Sequence, residues 1–97
     1  MKEEEIWFVR IDEKNDNIHL TEEIYKNHLQ YLTQITSEIK LIGGGFQNVP
    51  GGMILFQTAN LNEARKISES DPLIVTKAYK YKLYEWKLKI VSNKANC

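Results

Sequence analysis

TEEIYKNHLQYLTQITSEIK, residues 21–40, decides the fold, because its periodicity admits one register and everything else in the chain arranges itself around it. At about 100° per residue, Ile24, Tyr25, His28, Leu29, Tyr31, Leu32, Ile35 and Ile39 fall in one stripe roughly 160° wide. Glu23, Lys26, Asn27, Gln30, Thr33, Gln34, Ser37 and Glu38 take the opposite arc. The spacing predicts an amphipathic helix that ends near Lys40, with Thr21 as its N-cap and Glu22 and Glu23 in the first turn, where acidic groups suit the helix dipole. It also aims His28 at the interior. A buried imidazole must find a hydrogen-bond partner, and one whose partner is a carboxylate can also move protons.

Upstream of this helix, residues 5–12 carry Trp, Phe, Val and Ile in alternating pattern and read as a strand, followed by a polar loop over 13–19 that contains His19. Downstream, Leu41-Ile42 leads into Gly43-Gly44-Gly45-Phe46. Asn48-Val49-Pro50-Gly51-Gly52 then supplies turn chemistry before the apolar run 53–56, which together make a hairpin. Asn60 with Glu63 three residues on resembles a capping box for a short amphipathic helix through Leu61, Ala64, Ile67 and Ser68, and Pro72 stops it. From Tyr79 a long final strand begins, with a parity switch near Leu83-Tyr84 that predicts a bulge or twist there. The core is expected over about residues 5–90 of a single domain spanning 1–97, with a frayed tail at 91–97.

Thirteen basic and thirteen acidic side chains cancel, and no Lys/Arg block stands out, so nucleic acid is not the expected partner. The acidic start, Met1-Lys2-Glu3-Glu4-Glu5, lacks the pattern of a signal peptide, and no stretch approaches the apolar length of a membrane span, so a cytoplasmic protein with no membrane partner is expected. Cys97 is the sole cysteine, which leaves no internal disulfide and no thiolate metal site. One inward His and one Asp are too few ligands for a closed metal centre, and neither metal nor cofactor is expected.

The order strand, helix, strand, strand, helix, strand is that of a ferredoxin-like βαββαβ α+β sandwich: a four-stranded antiparallel sheet with two helices on one face. The first strand carries apolar residues on both parities, Ile6 and Phe8 on one and Trp7, Val9 and Ile11 on the other, and Met53-Ile54-Leu55-Phe56 has no polar face at all. The helix-free face would therefore be an exposed apolar patch unless something covers it, and a two-fold homodimer stacking sheet on sheet is the expected solution.

At this level of detail the chain resembles the YciI-like family, the YCII-related domain. The resemblance rests on His28-Leu29-x-Tyr31-Leu32, Gly43 to Gly45, Gly51-Gly52, Asn62-Glu63-Ala64 and Asp71-Pro72-Leu73, with Trp86 near the end of the last strand, and it covers roughly residues 6–90. The Gly-Pro common in the family after the second strand gives way here to glycines and Phe46. What the resemblance implies is a dimeric αβ-barrel arrangement with a His-Asp active site, carried onto His28 and Asp71. Related members are linked to removal of HCl from chlorinated aromatic intermediates. The implied activity is thus cofactor-independent proton transfer of lyase or isomerase type, dehydrochlorinase-like, on an unknown small molecule.

Each candidate residue also has a plainer reading. His28 can be a core histidine bonded to a backbone carbonyl, and Asp71 followed by Pro72 is a normal N-cap and N1 pair for a short turn through Leu73. Both roles of Asp71 are compatible, because proline biases it out of helical geometry and leaves a carboxylate oxygen for a partner such as His28. Gly44 and Gly45 are candidate substrate-binding positions that present backbone N–H groups, against the commoner use of such glycines for close backbone approach. Arg10 is a candidate for holding a substrate carboxylate, against a solvent-facing strand end. The alternative to an enzyme is a non-catalytic dimeric ligand-binding or interaction domain in which His28 and Asp71 are buried and satisfied.

Overall fold

The computed structural model describes residues 1–96. Its elements are β1 (Ile6–Lys14), α1 (Glu22–Ile35), β2 (Leu41–Gly45), β3 (Gly52–Phe56), α2 (Leu61–Glu69), α3 (Pro72–Val75) and β4 (Tyr79–Lys87). The strands form one antiparallel sheet in the order β2-β3-β1-β4, the arrangement of a ferredoxin-like α+β fold. Because α1 joins β1 to β2, and α2 with α3 joins β3 to β4, each connection steps over one strand and lays its helices on the same face.

Local chemistry explains the boundaries. Thr21 Oγ1 accepts the Ile24 N–H at 3.1 Å and starts α1, and Asn60 Oδ1 accepts the Glu63 N–H at 2.9 Å and starts α2. The helix expected to run to Lys40 ends at Ile35. There the Thr36 and Ser37 hydroxyls donate back to the carbonyls of Thr33 and Gln34, at 2.6 and 2.8 Å, and the chain leaves the helix through a turn. The expected bulge near Leu83-Tyr84 is absent: β4 pairs with β1 in unbroken register from Ile6↔Lys87 to Lys14↔Tyr79. In the tail, Asn93–Asn96 form a 3-10 turn, and Cys97 lies outside the described residues.

Phe8, Ile54 and Phe56 rise from the sheet to meet Ala64 of α2, with Leu32, Ile39, Leu41, Leu61, Ile67 and Leu83 packed around them. The Phe8 and Phe56 rings lie 5.9 Å apart between centroids. Strand alternation therefore assigns Phe8, Arg10 and Asp12 to the helix-covered face, and Trp7, Val9 and Ile11 to the other. Towards its end nearest α1 and α3, the covered layer stops being apolar, and this is where the charged residues collect.

Candidate functional site

Four side chains from three places meet there. Arg10 and Asp12 project from β1, His28 from the middle of α1, and Asp71 from the junction of α2 and α3. His28 is the buried residue of α1, whereas its stripe neighbours Tyr25 and Leu29 are about half exposed, contrary to the inward placement expected for them. Asp71 owes its position to the proline that follows it. With φ −70° and ψ 130° it is extended, and its Oδ1 accepts the Leu73 N–H at 2.9 Å as the N-cap of α3.

The same carboxylate takes two further bonds. His28 Nδ1 lies 2.8 Å from both Oδ1 and Oδ2, and Arg10 Nη2 lies 2.9 Å from Oδ2. Arg10 also donates Nε to Asp12 Oδ1 at 2.7 Å and Nη2 to Asp12 Oδ2 at 2.9 Å. The result is a continuous chain Asp12, Arg10, Asp71, His28, with Arg10 1% exposed and Asp71 fully buried. Arg10 is therefore not a solvent-facing strand end: it is buried, and two protein carboxylates engage its Nε and Nη2.

Burial by itself pushes the Asp71 carboxyl up. The His28 bond, the Arg10 charge and the Leu73 N–H together outweigh burial and hold it below the usual carboxylate value. Arg10 likewise suffers from burial, yet its bonds and proximity to Asp12 and Asp71 hold it above the ordinary guanidinium value. Asp71 is therefore an ionised acceptor at neutral pH. An imidazole that donates Nδ1–H to it is fixed in one tautomer, which leaves Nε2, on the opposite edge of the ring, as the basic nitrogen.

His28 is among the residues that line a cavity of about 300 Å³ between α1 and the sheet, at the lower end of ligand-pocket sizes. His28, Tyr25, Leu29 and Leu32 line one side, and Gly43 to Gly45, Gly52 and Ile54 the other; Asp12 and Tyr79 also contribute. The glycines supply space. In the β2-β3 ladder their N–H groups lie in the plane of the sheet, towards β3 or the free edge. A Cβ on Gly44 would meet nothing within 4 Å, and alternation turns it to the helix-free face, whereas Gly45 faces the helices. Asp12 was missed by sequence reasoning, although a signal was present: Arg10-x-Asp12 puts two opposite charges on the parity of Phe8 within an apolar strand. His19 is exposed and takes no part. Among the described residues no group of three or more His, Cys, Asp or Glu is placed to hold a metal, and no helix is long and apolar enough to cross a membrane.

The YCII-related domain model matches residues 6–87, most of the chain. This protein belongs to the YCII-related family. A relative within reach is the uncharacterized protein YjpA of Bacillus subtilis (strain 168), 32% identical over 63 residues that make up 64% of this chain and 74% of the relative. The YCII fold seen here is similar to that of the 5-chloro-2-hydroxyhydroquinone dehydrochlorinase TftG from Burkholderia phenoliruptrix AC1100, solved in complex with 2,5-dihydroxybenzoquinone. The TM-score is 0.68 at 16% identity, covering 86% of this chain and 94% of that one.

Proposed function

We propose that this YCII-related protein is a small-molecule enzyme in which His28, oriented by Asp71, transfers a proton to or from a ligand held in the cavity beside α1. The observation that carries this reading is the 2.8 Å contact of His28 Nδ1 with a buried, ionised Asp71 while His28 is among the residues lining that cavity. A histidine serving packing alone needs neither a carboxylate partner nor a place in a cavity wall. In this reading Nε2 takes a proton from a ligand hydroxyl or activated C–H, and Asp71 offsets the charge that develops on the ring. On a chlorinated ring the electron pair released by that proton drives out chloride, so that HCl is lost overall with no change in the number of electrons. Such chemistry is of lyase type and matches what the name of the TftG neighbour states for that protein.

The proposal extends to the assembly. Val9, Met53, Leu55, Tyr84 and Trp86, with Glu85, form a mainly apolar hollow of about 330 Å³ on the helix-free face. A second copy stacked on it, sheet against sheet, would cover that surface and give the dimeric αβ-barrel.

The test of function is chloride release and solvent-deuterium incorporation with chlorinated polyhydroxybenzenes, using the parent protein and His28→Ala. We expect turnover in the parent and a loss of about 10²- to 10⁴-fold in the variant, the usual contribution of a general base. Nitrogen NMR of the ring should show the Nδ1–H tautomer in the parent and its loss in Asp71→Ala. Undiminished turnover in His28→Ala, or an Nε2–H tautomer in the parent, overturns the reading in favour of a binding domain.

A further inference from the structure

We propose that Asp12 selects the ligand of this cavity: its carboxylate accepts a hydroxyl or N–H from the bound molecule and turns anionic molecules away. The inference rests on reading the cavity as the ligand site, and it is independent of whether His28 moves a proton.

Asp12 stands on the helix-covered face of β1 and is 4% exposed, in the layer that holds the cavity and among its lining residues. Each of its oxygens accepts one N–H from Arg10, whereas a carboxylate offers about four acceptor positions. Acceptor capacity is therefore left over. The cation that would attract an acid is already engaged, since Arg10 Nε and Nη2 reach Asp12 and Nη2 also reaches Asp71. Among the described residues no Lys or Arg lines the cavity, and the charge that a proton would give His28 is already offset by Asp71. An anion entering would face the Asp12 carboxylate with no unengaged cation beside it, while a neutral donor would find an acceptor. The backbone holds Asp12 in place for this. Gly51, at φ +109°, passes so close to the Asp12 carbonyl oxygen that a Cβ there would collide with it, and Asp12 pairs with Gly52. The rest of the wall is mainly apolar, with Thr33, Thr36, Tyr25 and Tyr79 adding hydroxyls, and suits a small ring.

Resorcinol and benzoate are suitable probes, being single rings of similar size that differ in donor capacity and charge. Each is titrated into the parent protein and into Asp12→Asn, following the backbone amides of Gly43 to Gly45 by NMR. We expect the parent to bind resorcinol roughly 10- to 100-fold more tightly than benzoate, the range that one hydrogen bond to a charged acceptor supplies. In Asp12→Asn the ratio should fall at least about tenfold, because the repulsion is gone and Arg10 is released towards the cavity. Equal or tighter binding of benzoate by the parent overturns the proposal, as does an unchanged ratio in a folded Asp12→Asn. Failure of both probes to shift those amides at millimolar concentration overturns it too. If the variant does not fold, the preference of the parent decides alone. Selectivity without turnover of any chlorinated substrate removes the proton-transfer reading and leaves Asp12 in its role, whereas turnover with reversed selectivity does the opposite.

Discussion

The two faces of the sheet invert the usual partition of a small domain. Under the helices, β1 presents Phe8 and then Arg10 and Asp12, so that its covered face passes from apolar core into a buried ionic chain. On the bare side the neighbouring strands present Ile42, Met53, Tyr84 and Trp86, which are 55, 38, 51 and 45% exposed. Burial here follows partnership more than polarity. Charges are tolerated inside because each one meets an opposite charge or a hydrogen-bond partner. Ile42, Met53, Tyr84 and Trp86 stay exposed because no helix of this chain reaches them, whereas Trp7 on the same face is buried.

Breaking the ionic side should have the largest effect. Arg10→Leu leaves Asp12 and Asp71 facing each other without their shared cation, and we expect a loss of about 3–5 kcal/mol in urea unfolding, the range for removing one partner of a buried pair. A loss below about 1 kcal/mol would show that water reaches the cluster.

The bare side should answer through association. In the proposed dimer Trp86→Glu places a charge in the sheet-to-sheet contact, and a weakening of about 2 kcal/mol or more is expected in sedimentation equilibrium, as for an aromatic anchor. The stability of the separated chain should change little, because Trp86 is already half exposed. A parent protein that sediments as a monomer at all concentrations would remove the dimer.

Acid should distinguish the two faces by sign. Asp71 is held below the ordinary carboxylate value in the folded protein, so as pH falls the unfolded chain takes up its proton first. Its contribution is therefore complete at neutral pH and is lost as the pH drops through the ordinary carboxylate range and on through the lowered folded value. Thermal melts at successive pH values should show this decline in the parent and a shallower one in Asp71→Asn. Trp86→Glu should keep the decline of the parent.

The smallest effect is expected at the rim of the bare face, where Lys82 Nζ lies 3.3 Å from Glu13 Oε1 with both side chains well exposed. Lys82→Ala should alter stability by less than about 0.5 kcal/mol, and a larger change in urea unfolding would mean that this pair is shielded from solvent.

Much of this contrast was legible in the residues themselves. Thr21, Asn60 and Asp71 announced three helix starts through capping chemistry that acts over two or three residues, and the 3.6-residue stripe aimed His28 inward. The apolar residues on both parities of β1 and β3 announced a second face in need of cover. Where local reading failed, longer-range effects had won. Tyr25 and Leu29 lie on the apolar stripe yet stand at a cavity mouth, because Gly43 to Gly45 opposite them provide no side chains to pack against. The supposed bulge in β4 vanished because pairing with β1 along its whole length set the register.

By itself the sequence determined the order of elements, their caps, the inward turn of His28 and the extended setting of Asp71, since each depends on neighbours within a turn or a strand repeat. Only the tertiary structure decided that His28 and Asp71, 43 residues apart, share a hydrogen bond, and that Arg10 spends its charge on Asp12 and Asp71. The reason is physical. Periodicity and capping are encoded in short spacings, whereas the partner of a buried charge is set by which elements the fold packs together, and a guanidinium in an apolar strand reads the same whether its carboxylate belongs to the protein or to a ligand.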